Sequence, residues 1–100
     1  MIEINKESNT IIFTFSQDES FNENILNDAA DNFKLLKQQN LNIVCNGFIP
    51  LELCMYISNV SKFCEMTIDF VDDSEGQKFL EFLSTTEALN IKFKKKENNG

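Results

Sequence analysis

Histidine, arginine and tryptophan are all missing from these 100 residues. Without histidine no side chain exchanges protons near neutrality at its ordinary pKa, and without arginine there is no planar fork for phosphate. No serine or cysteine has an imidazole base, and no Gly-x-Ser-x-Gly elbow occurs. Glycine is scarce as well: Gly47, Gly76 and Gly100 are too dispersed for a glycine-rich phosphate loop. A single proline, Pro50, and no Gly/Ser-rich tract leave no linker at which to divide the chain. No window approaches the ~18 apolar residues of a membrane span, and Met1 to Asn5 has no apolar signal-peptide core. No cofactor is expected, and the inventory leans away from an enzyme.

Cysteine is present but sparse. Cys45, Cys54 and Cys64 are odd in number, lack the two-residue spacing of a zinc knuckle, and have no histidine to complete a site. Each lies in an apolar stretch, so the three read as reduced, buried small hydrophobes in a cytoplasmic protein.

What is there is ordinary in amount: 42% apolar and 25% charged residues over 100 positions, the composition of one soluble domain with one core. Sixteen carboxylates against nine lysines leave a net charge of -7, a field that repels nucleic-acid duplexes and anionic membranes. The expected partner is a protein, with a basic surface as the easier match and a homodimer as the other option. Lys92, Lys94, Lys95 and Lys96 read as charges guarding an edge strand, with residues 1–96 as the domain and 97–100 as a frayed tail.

The pattern opens with a β-hairpin: Ile2 and Ile4 alternate with polar residues, Lys6 to Asn9 interrupts, and Ile11, Ile12, Phe13 and Phe15 follow. Ser20-Phe21-Asn22-Glu23 fits a capping box, predicting a helix through Leu26, Ala29, Phe33 and Leu36 to about Gln39. Leu41 to Cys45 predicts a strand broken by Asn46-Gly47, and Pro50 fits the first turn of a second helix with Leu53, Ile57, Val60 and Cys64 as its stripe. Leu51, Cys54, Met55 and Tyr56 leave little of that helix polar, which implies cover on two sides. Met66, Ile68 and Phe70 predict a fourth strand, Ser74 to Gln77 a second capping box, Phe79, Leu80 and Leu83 a third helix to about Thr85, and Ile91 and Phe93 a last strand. The order ββαβαβαβ predicts an α/β domain with a mixed, mainly parallel sheet and right-handed crossovers.

In open α/β sheets ligands bind beyond the carboxyl ends of the strands. Two loops occupy that position. Asn46, Gly47, Phe48, Ile49 and Pro50 lead into a helix start that favours anions, yet the proline removes a donor and Phe48 and Ile49 are better suited to touching protein. Together with Tyr56 these residues form the expected binding surface. Asp72, Asp73 and Glu75 have the oxygens to hold Mg²⁺ or Ca²⁺, but their spacing matches no calcium loop. Acids here also cap a helix and complement its dipole, so no metal is assigned and the three remain weak candidates.

The spacing of Ile11-Ile12-Phe13-Thr14-Phe15, the first helix and Asn42-Ile43-Val44-Cys45, with Phe79 to Leu83 before Ala88 to Ile91, resembles a STAS domain. That resemblance covers nearly the whole chain. It implies a regulatory, protein-binding module of the kind found in anti-sigma-factor antagonists. The family's phosphorylatable serine has no counterpart, because Gly47-Phe48-Ile49-Pro50-Leu51 stands there, so the resemblance implies a module without that switch. Gly47, Pro50, Leu53 and Asp72 are also similar to a type III CRISPR-associated ring nuclease family that binds cyclic oligoadenylate. There Phe48 replaces an arginine and Glu52 a tryptophan, which implies an inactive relative. An acidic immunity or antitoxin protein is a third reading, carried by charge alone.

Overall fold

The computed structural model describes residues 1–72 and 74–94. Its elements are β1 (Ile2–Asn5), β2 (Thr10–Phe15), α1 (Glu23–Phe33), β3 (Leu41–Gly47), α2 (Leu51–Ser61), β4 (Met66–Phe70), α3 (Ser74–Ser84) and β5 (Ile91–Phe93). The five strands lie side by side in chain order, β1 antiparallel to β2 and every later pair parallel. The α/β order and the mixed sheet are those expected from the hydrophobic pattern.

Strand order in chain order has a geometric consequence. Crossovers of one hand, all advancing in one direction, place their helices on one face of the sheet. Burial follows suit: Ile11, Phe13 and Phe15 of β2, Leu41, Ile43 and Cys45 of β3, and Met66, Ile68 and Phe70 of β4 are buried, while the residues between them are not. Against this face pack Ala29 and Phe33 of α1, Leu53, Cys54 and Ile57 of α2, and Leu80 of α3. All three cysteines are buried. The Ser58 and Ser61 hydroxyls, buried on α2, donate to the carbonyls of Met55 (2.6 Å) and Ser58 (2.7 Å), so their burial leaves no bond unmade. No helix among the described residues is long and apolar enough to cross a membrane.

Several boundaries differ from expectation, each for a local reason. The first helix is capped by Asn22, whose side chain accepts from the Ile25 N–H at 3.2 Å, and not by Ser20. It stops at Phe33, well before Gln39: Leu35 and Leu36 tighten the turn by bonding to Asn32 and Phe33, and the Gln38 amide covers the Phe33 carbonyl at 3.1 Å. Leu36 stays in the core although the helix has ended. Asn40, with φ of +52°, then reverses the chain into β3. That turn is fastened from outside by Asn9, which donates to the Lys37 and Gln39 carbonyls and accepts from the Lys37 N–H at 2.8 Å. The second helix ends at Ser61, before Cys64, and the third begins with Ser74 already helical. Asp73 and residues 95–100, including Lys95, Lys96 and the proposed tail, lie outside the described residues.

Candidate functional site

At the carboxyl end of the sheet, β3 does not break at Asn46-Gly47 as expected. Both residues remain paired, Asn46 with Thr14 and Gly47 with Phe15. Gly47 has φ of +82°, and a Cβ placed there would lie 1.9 Å from the Phe15 carbonyl oxygen. Only glycine fits such a backbone-on-backbone approach. The Phe48 N–H donates to the same Phe15 oxygen at 3.3 Å, and the Gly47 N–H donates to Asp72 Oδ2 at 3.1 Å. The two loops expected to hold a site are therefore joined to each other, with the Asp72 carboxylate fastening the end of β3.

Pro50 caps α2 from the position before its first turn, its carbonyl accepting from Leu53 and Cys54. Ile49, expected at the surface, is 5% exposed and belongs to the core. Tyr56 also departs from expectation: it is half-buried, with its ring 5.8 Å from that of Phe33 on α1, and burial pushes its phenol pKa up. It packs against α1 through that ring contact. Among the described residues no three potential metal ligands cluster. Asp72 is engaged by Gly47, Asp73 lies outside the described residues, and Glu75 sits in the first turn of α3.

Several exposed apolar side chains lie on and next to α2 and on α3. Leu51 (54% exposed) and Met55 (47%) lie four residues apart on α2, Phe48 (56%) precedes that helix, and Phe82 (69%) stands on α3. Between α2 and α3 runs a groove of about 490 Å³ lined by Ile49, Leu51, Gly76, Phe79 and Phe82, with Glu75 and Lys78 at its edge. Gly76 allows α3 to come this close: a Cβ there would meet the Phe70 ring at 2.5 Å. Met1, Leu35, Phe63 and Val71 are exposed too, outside both helices. On these two helices Glu52, Glu75 and Glu81 oppose one cation, Lys78.

Sequence reasoning singled out Phe48, Ile49 and the largely apolar α2, and assigned no surface role to Phe79 and Phe82 of α3. Their three-residue spacing alongside buried Leu80 was the available signal, since it places two rings beside the core stripe of α3. Compared with family models, with curated proteins and with solved structures, the chain matches none.

Proposed function

We propose that this chain is a non-enzymatic, cytoplasmic protein-interaction domain, STAS-like in topology and lacking the phosphoacceptor serine, which docks a basic partner protein on the outer surface of α2 and α3. The observation that carries the reading is the groove and what stands near it: Leu51 and Phe82 present large apolar side chains to solvent along one cleft, and Phe48 and Met55 add exposed apolar side chains just before and on α2. Contiguous exposed apolar surface of this kind marks interaction sites in soluble proteins. The acidic excess of α2 and α3 as a whole, three carboxylates against Lys78, favours a basic partner over a second copy, whose own acids would be brought against them. Strands in chain order with an antiparallel first pair are compatible with the STAS-like topology.

The test places a photo-reactive residue at Phe82 or, as a control, at Asp31 on the exposed side of α1, in the cells that make the protein. A discrete adduct at Phe82 but not at Asp31, abolished by Leu51→Lys and formed more slowly as salt is added, is the expected outcome. No adduct, or one indifferent to Leu51→Lys, refutes the assignment.

A further inference from the structure

Among the described residues the face of the sheet opposite the helices is uncovered, which is unusual for parallel strands, normally buried on both sides. The register sorts its residues into rows that cross all five strands. One row is Asn5, Thr10, Asn42, Thr67 and Lys92; the next is Glu3, Ile12, Val44, Asp69 and then Lys94, just past β5. Lys94 continues the ladder by donating its N–H to the Ile68 carbonyl at 2.9 Å, and its ammonium lies 3.9 Å from Asp69. The face thus has half-buried Ile12 and Val44 near its middle, a carboxylate on its β1 edge and two lysines on its β5 edge. Although the chain carries -7, Glu3 and Asp69 balance Lys92 and Lys94 here, so the acidic excess resides elsewhere.

We propose that this open sheet face is the interface of a symmetric homodimer. A two-fold axis parallel to the strands and passing over β3 lays β1 of one copy across β5 of the other. Val44 then meets its own counterpart, Thr10 meets Thr67, Ile12 meets Asp69, and Glu3 meets Lys94 at both edges, so it is the two edges that pair opposite charges twice over, as a two-fold contact requires. A shallow depression of about 220 Å³ between Thr10, Asn42, Val44 and Asp69 lies over β3 and would face its own counterpart at the axis. The helix layer has no such balance, with three carboxylates against one lysine on α2 and α3. Five strands about 4.8 Å apart, each contributing about five residues, give a footprint of roughly 24 by 17 Å. This is small beside the roughly 800 Å² per partner of a standard interface, so the dimer is weak, with a dissociation constant in the micromolar range or above.

The proposal is independent of the helix-face reading, and its test separates the two. Sedimentation equilibrium of the full chain at rising concentration is expected to show a monomer–dimer equilibrium. Glu3→Lys or Lys94→Glu alone weakens it roughly tenfold, two exposed charge contacts being lost and two repulsions gained. The double variant, in which both charges are exchanged, restores it. Both positions are exposed, so circular dichroism is expected to report an unchanged fold. A monomer at every concentration, a dimer indifferent to both substitutions, no recovery in the double variant, or a dimer broken instead by Phe82→Lys overturns the proposal.

Discussion

Replacing Gly47 with alanine tests the most constrained point of the structure. Three losses coincide there. The left-handed backbone costs an L-residue about 1–2 kcal/mol. A Cβ 1.9 Å from the Phe15 oxygen cannot be relieved by a side-chain rotation, because the obstacle is main chain, so the end of β3 must move away from β2. That movement also breaks the Phe48 N–H bond to Phe15 and the Gly47 N–H bond to Asp72, each contributing about 1 kcal/mol. The sum is about 3–4 kcal/mol, a large share of the 5–15 kcal/mol of a typical domain. At about 4–8 °C per kcal/mol, the melting temperature should fall by at least about 12 °C. Urea unfolding should show a lower midpoint at an unchanged slope. Asp72→Ala alone should lower stability by about 1 kcal/mol, and that effect should vanish in the Gly47→Ala background, because the bond is already broken. A Gly47→Ala protein melting within about 4 °C of the parent, or full additivity with Asp72→Ala, would refute the reasoning.

Gly76→Ala pushes a methyl against the buried Phe70 ring and should destabilise by about 1–3 kcal/mol; in a Phe70→Leu background, which removes the ring, the same change should cost less in urea titrations. Burial raises the Tyr56 pKa, and burial followed by the Glu65 charge raises that of Cys64. Both groups are acids held neutral, so the folded state retains protons that the unfolded chain releases. Stability should therefore be flat at neutral pH and decline above about pH 9 as the unfolded thiol and phenol ionise; Cys64→Ala should remove the earlier part of that decline in thermal melts. Mn²⁺ with cyclic oligoadenylate should leave the melting temperature unmoved, since Asp72 is already bonded to Gly47; a reproducible rise would revive the ring-nuclease resemblance.

Where burial alternates with the strand period, the sequence was readable. Ile11, Phe13 and Phe15, or Met66, Ile68 and Phe70, declare both the strand and its inward face. Helix ends were harder, because Ser20 and Asn22 are equally able to cap and the choice depends on where the chain turns after Phe15. Leu36 extended the apparent helix because a buried residue in a tight turn keeps the period after the helix has stopped. Gly47 read as a breaker because its neighbour across the sheet, the Phe15 carbonyl, is distant in sequence. The same holds for Tyr56, whose packing against Phe33 no local pattern announces. One signal was available and unused: Asn42, Asn46, Thr67 and Asp69 interrupt interior parallel strands, whereas strands covered on both faces run continuously apolar.

A sheet whose strands keep the order of the chain has no partnership that waits for a remote segment. Each β-α-β unit closes a loop of roughly 30 residues, and doubling that length would add only about 0.6 kcal/mol to the closure entropy. Assembly can begin at any adjacent pair and spread outward one unit at a time, as a zipper does, rather than through the threading that interleaved sheets demand. The last unit, α3 with the three-residue β5, is then the first to peel away, and β4 is the edge it would leave bare.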